Sequence, residues 1–244
     1  MNDNLGALAI TAASVGFLHT ICGPDHYLPF VAMSRVGRWS LRKTTAITLL
    51  CGVGHVASSV ALGFVGIAFG VLLFKLEHIE ESRGNVAAWL LIAFGWTYAV
   101  WGIVRAVRNQ PHTHLHVHPD GTVHEHEHTH QAEHLHPHAA ASCTAQGSGS
   151  ARSLTPWVLL TIFLFGPCEP LIPMVMYPAA QANVWGVVWI TLLFGLTTLT
   201  TMTGMVLLMY HGVGALRWER MHRYSHALAG LVVLSCGVAI KMGL

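Results

Sequence analysis

The chain is 244 residues long, 53% hydrophobic and only 10% charged, far from the roughly 25% charged residues of an average soluble domain. Its formal net charge of +2 leaves no electrostatic footprint for nucleic acid, and its apolar residues gather into runs that exceed the ~18 needed for a membrane-spanning helix. A soluble globular fold and a nucleic-acid partner are therefore excluded, and the lipid bilayer is the expected surrounding.

The first apolar run, Leu5 to Met33, follows four residues without a basic group, so it reads as a retained span rather than a cleaved signal peptide. It contains His19-Thr20-Ile21-Cys22-Gly23-Pro24-Asp25-His26. The second run, Thr44 to Phe74, carries Gly54-His55-Val56-Ala57-Ser58-Ser59, and the third runs from Val86 to Val104. A connection of different composition follows, from Gln110 to Thr155. It holds eleven of the 18 histidines, at positions 112, 114, 116, 118, 124, 126, 128, 130, 134, 136 and 138, interleaved with Glu125, Glu127 and Glu133 and followed by a Gly/Ser tail. Its strict alternation imitates a strand, but with no apolar face to bury it is expected to stay disordered and to sequester metal. Three more runs complete the chain: Trp157 to Met176, Val184 to Tyr210 and Ala227 to Met242.

These runs predict an all-α integral membrane protein with six transmembrane helices: a three-span unit at 1–108, the His-rich loop at 109–155, and a second three-span unit at 156–244. Ten of the 13 Lys and Arg residues fall in the connections after the first, third and fifth runs; Lys75, Arg83 and Lys241 do not. The positive-inside rule then puts the chain in a cytoplasmic membrane as a multi-pass protein, with both termini outside and the His-rich loop in the cytoplasm. Five cysteines are an odd number, and Cys22, Cys51, Cys168 and Cys236 lie in apolar runs, against a disulfide framework.

The two units repeat one another. Pro24 precedes Leu49-Leu50-Cys51-Gly52 by the same 25 residues that separate Pro167 from Leu192-Leu193-Phe194-Gly195, and Gly95 and Gly237 follow at 43 and 42 residues. Three spans per unit, an odd number, turn the second upside down relative to the first, which gives two inverted three-helix repeats with a site expected where their broken helices meet. Among the 11 acidic residues only Asp25 and Glu169 fall inside the runs, each just after the Gly-Pro of its unit. Pro29 and Pro173 withhold the N–H groups that the carbonyls of Asp25 and Glu169 would use, so both helices are expected to break beside their acid. An ionisable group at that depth needs a partner or a cavity. With His19, His26, His55 and Cys168 nearby, the donor set suits a borderline divalent metal rather than Mg2+ or Ca2+.

On these residues the chain resembles the nickel/cobalt transporter superfamily, in particular its six-span branch of nickel/cobalt exporters and urease-accessory membrane proteins. His19 with Asp25-His26 is similar to that family's histidine, four-residue gap and Asp-His, with five residues here instead of four, and Gly54-His55 is similar to its Gly-His-Ser segment. The resemblance implies a metal selectivity site of His19, Asp25, His26 and His55; Cys168 and Glu169 join it from the second unit by the repeat. The expected cargo is Ni2+ or Co2+, with Zn2+ a third candidate. No enzyme activity and no resident cofactor are expected, the partners are the ion and the bilayer, and homo-oligomerisation stays open. The absence of a nucleotide-binding motif favours downhill or proton-coupled movement over ATP use by this chain. A second class also fits: Gly166-Pro167-Cys168-Glu169-Pro170 resembles the Pro-Cys broken helix of membrane thiol-disulfide electron relays, in which Cys22 and Cys168 would exchange. A third is a metal sensor or accessory scaffold without flux.

Overall fold

The computed structural model describes residues 2–108, 112–117, 123–128, 155–181, 183–214 and 223–243, with the backbone alone at 2–5, 112–117, 123–128 and 213–214. The described residues form helices α1 (Asn2–Cys22), α2 (Leu28–Val36), α3 (Leu41–Ala68), α4 (Leu73–Val107), α5 (Thr155–Phe165), α6 (Leu171–Ala180), α7 (Val184–Gly214) and α8 (Ser225–Lys241). A single 3-10 turn, Pro24–His26, separates α1 from α2.

Proline chemistry sets both breaks. Pro24 disfavours helix at the residue before it, and Gly23 is extended at φ −87, ψ 93. The path turns by 82° before α2 carries it on, and Pro29 falls in the first turn of α2, where a missing N–H interrupts nothing. In the second unit α5 stops at Phe165, Gly166 to Pro170 are non-helical, and α6 starts at Leu171. The run expected from Trp157 to Met176 is thus two short apolar helices.

Three helices, α3, α4 and α7, are long and apolar enough to cross a membrane, and α1 with the turn and α2 makes a fourth if the bent pair counts as one span. The chain is membrane-embedded on that evidence. Helices α5, α6 and α8 are apolar but shorter, at 11, 10 and 17 residues. The third span departs most from expectation. Instead of Val86 to Val104, α4 runs 35 residues, or about 52 Å at 1.5 Å per residue, and takes in Glu77, Glu80, Glu81 and Arg83, which hydropathy had assigned to an external loop.

Helix α4 packs along α8 through glycines. A Cβ on Gly95 would come 2.8 Å from the Gly230 carbonyl, and one on Gly237 would come 2.7 Å from that of Ala88, so any larger residue would force the backbones apart. Two apolar clusters flank the breaks. One joins Phe30, Met33, Leu159, Phe163, Met202 and Val233; the other joins Cys168, Leu171, Val175, Ile190 and Phe194.

Within the connection expected to be irregular, two segments pair. Strand β1 (His112–Val117) runs antiparallel to β2 (Val123–His128), with His112 opposite His128, His114 opposite His126 and His116 opposite His124. The alternating pattern is compatible with such a ribbon, in which the backbone N–H and C=O groups pair across the two strands. The rest of the loop, including Glu133, Cys143, His118 and the four histidines from 130 to 138, lies outside the described residues, as do Arg217 and Arg220.

Candidate metal centre

The first break folds the end of α1 back on itself. A Cβ at Gly23 would sit 2.6 Å from His26 Nδ1 and 2.9 Å from Asp25 Oδ1, so the fold-back requires glycine. His26 Nδ1 lies 3.2 Å from the Gly23 carbonyl and 3.2 Å from Asp25 Oδ1. Both neighbours only accept, so Nδ1 carries the proton and donates, and the lone pair is left on Nε2. A carboxylate that fixes the tautomer in this way is the usual support of a metal-binding imidazole. His26 is 3% exposed, while the Asp25 side chain keeps 21% exposure.

In a straight helix His19 and His26 would stand about 10 Å apart along the axis. The break closes that gap: their ring centroids are 4.8 Å apart and edge to face. Helix α3 brings in His55, whose ring lies 5.1 Å from that of His26, again edge to face, with Phe163 of α5 beyond it at 6.2 Å. The second break supplies room and a thiol. A Cβ on Gly166 would come 2.9 Å from His55 Nδ1, and Cys168 is fully buried. One donor atom each from His19, His55 and Cys168 lie within 4.8 Å of one another.

His19 Nε2, His26 Nε2 and both ring nitrogens of His55 are buried and make no hydrogen bond of normal geometry. Unpaired buried polar atoms each cost roughly 1–3 kcal/mol, and a cation relieves the one lone pair that each neutral imidazole offers, the other His55 nitrogen carrying its proton. Ligands on a tetrahedral Ni2+-, Co2+- or Zn2+-like ion sit about 3.5 Å from one another, so the observed donors need to close by about 1 Å to bind one.

The remaining expected residues go elsewhere. Glu169, the neighbour of Cys168, is exposed and lines a surface cleft of about 550 Å3 with Phe74, Glu77, His78 and Glu81. Its expected convergence with Asp25 and His26 is corrected by this placement: in a non-helical segment adjacent side chains project differently, and the thiol takes the inward position. Cys22 is exposed whereas Cys168 is buried, and both are free thiols.

One group of residues escaped the sequence reading. Glu80 of α4 is 0% exposed, with Oε1 2.5 Å from Arg83 Nη1. Its Oε2 and Ser59 Oγ accept from the backbone N–H of Cys168 at 3.3 and 3.1 Å. Arg83 Nη2 donates to Ser58 Oγ at 2.6 Å and to the carbonyls of Leu164 and Gly166 at 3.0 and 3.4 Å. The available signal was the i, i+3 spacing of Glu80 and Arg83 opposite the hydroxyl pair Ser58-Ser59. Comparison of the chain with protein-family models, curated proteins and solved structures finds no match.

Proposed function

We propose that the chain is a membrane transporter of divalent transition-metal ions, nickel or cobalt first, working by alternate exposure of the site built at the two helix breaks. The observation that carries this reading is the meeting of half-buried His19 with buried His55 and Cys168 within 4.8 Å, with the Asp25-oriented ring of His26 packed against both imidazoles. Imidazole with a single thiolate suits Ni2+, Co2+ and Zn2+ and is poor for Mg2+ or Ca2+. The ion is cargo: neutral imidazoles and the thiolate replace its water, and movement of the short half-helices changes the side to which it is released.

In this reading α5–α6 and α8 complete six spans, arranged as two inverted three-helix halves in an inner membrane, with both termini outside and the His-rich connection in the cytoplasm. Reciprocal packing supports the repeat. Gly95 meets Gly230 and Leu234, while Gly237 meets Ala88 and Ile92; each residue of the first half here matches its counterpart 142 positions on, as a twofold relation between the halves requires.

The test is flux of Ni2+, Co2+, Zn2+ and Fe2+ into liposomes holding the purified protein. Uptake of Ni2+ or Co2+ above empty liposomes is expected. Tight binding without flux of any ion would replace the transporter with a metal sensor or scaffold.

A further inference from the structure

The non-helical stretch between α5 and α6 leaves backbone groups that a membrane interior cannot satisfy. Three of them are met by one pair of side chains and one hydroxyl: Arg83 serves the carbonyls of Leu164 and Gly166, and Glu80 with Ser59 serves the Cys168 N–H. Arg83 also reaches Ser58 Oγ, and Ser58 in turn donates to the carbonyl of His55 at 2.8 Å. The guanidinium therefore touches the α3 turn that carries His55 and the segment that carries Cys168. An apolar pair would fill the same space without the desolvation cost of two charges, but it could not hold two carbonyls and an amide in place.

We propose that Glu80 and Arg83 are positioning residues of the metal centre: by tying the segment from Leu164 to Cys168 to α3 and α4, they hold the Cys168 thiol against His19 and His55. The inference rests on reading those donors as a metal site. Its geometric core does not depend on an ion, because it concerns where the thiol lies in the metal-free protein.

Arg83→Lys keeps the charge beside Glu80 but loses the planar fork that spans carboxylate, hydroxyl and carbonyls. Ser59→Ala keeps the ion pair and removes one acceptor, and serves should the first variant fail to fold. Full-length protein would be treated, metal-free, with N-ethylmaleimide, and modification of Cys168 followed by mass spectrometry. Co2+ would then be titrated, reading the thiolate-to-cobalt charge-transfer absorption, and the KM and maximal rate for Co2+ measured in liposomes. Arg83→Lys is expected to speed Cys168 alkylation about tenfold, the equivalent of one lost charged hydrogen bond, with Ser59→Ala raising it by a smaller factor. The charge-transfer band per bound ion should fall and KM rise more than the maximal rate drops, a split that simple loss of folded protein would not produce. Unchanged alkylation in both variants overturns the positioning role and leaves the metal site standing. Faster alkylation beside a wild-type protein that binds no Co2+ supports the positioning and overturns the metal-site reading instead.

Discussion

The two helix breaks of this protein share a Gly-Pro and a neighbouring acid, yet they are built differently. At the first, Asp25 turns inward and accepts from His26 Nδ1, so the acid belongs to the ligand cluster and orients it. At the second, Cys168 turns inward and Glu169 faces a surface cleft, and the loose backbone is held by Glu80 and Arg83 from another helix. The two Gly-Pro breaks thus share a sequence signature without sharing backbone geometry or chemistry. A break between apolar, membrane-embedded helices needs its free carbonyls and amides satisfied, and the two breaks meet that need by different means: the first by its own 3-10 turn and side chains, the second by a borrowed ion pair.

The comparison breaks most readily at the first site. His26→Ala removes the ring packed between His19 and His55, and Asp25→Asn replaces the carboxylate that fixes its tautomer. Flux at subsaturating Ni2+ or Co2+ should fall by about 100-fold in each, at the upper end of what loss of a metal site's supporting shell costs. Initial rates in liposomes, normalised to inserted protein, measure it. Wild-type rates in both variants would remove the inward acid from the mechanism and leave the two breaks alike.

Cys168→Ser tests the second break's share. The hydroxyl keeps the shape of the thiol but is a harder, weaker donor. KM for Co2+ should rise about tenfold, with less change in maximal rate, and the charge-transfer absorption should vanish. Persistence of that band would assign the thiolate to another cysteine, exposed Cys22 at the end of α1 being the first to examine.

Much of the first break was legible in the chain. Gly23-Pro24 and Pro29 announce a bend, and the seven-residue spacing of His19 and His26 becomes a contact once the bend is made. What could not be read there was the partner of the second break. The cluster from Lys75 to Arg83 interrupts the hydropathy ahead of the third run, so the apolar run begins only at Val86 although α4 begins at Leu73. Glu80 is buried only because α3 and the α5–α6 segment pack over it, a tertiary fact invisible to local composition. Likewise no spacing rule tells which of Cys168 and Glu169 turns inward in a stretch without helical or strand periodicity.

The connection between the halves lets the breaks be separated from metal supply. Deleting Pro111 to His138 removes both strands of the ribbon and its paired histidines, but no described packing of the helices. Maximal flux should be retained and the concentration for half-maximal flux shifted a few-fold. Loop histidines ligate only when neutral, so the difference between intact and deleted proteins should be full above the imidazole reference value of about 6.5 and fade as pH falls through it. Complete loss of flux at saturating metal, with normal insertion, would place the loop in the translocation path alongside the breaks.

The smallest effect is expected at Glu169, and it is the one that sharpens the contrast most. The 143-residue offset from Pro24 to Pro167 makes Cys168 the counterpart of Asp25 and Glu169 that of His26, and if Glu169 shared the site with them, Glu169→Gln should impair transport about as severely as Asp25→Asn. The structure places its carboxylate among Glu77, His78 and Glu81 at an open cleft, where solvent screens each charge and removal of one from such a group changes local ion concentration only modestly. Glu169→Gln should therefore alter KM within about twofold at physiological ionic strength, and less at high salt, without touching the Co2+ spectrum. Side-by-side rates for the two variants at low and high ionic strength decide the point. If Glu169→Gln matches Asp25→Asn in severity and the loss does not respond to salt, both acids belong to the translocation site and the asymmetry between the breaks is wrong.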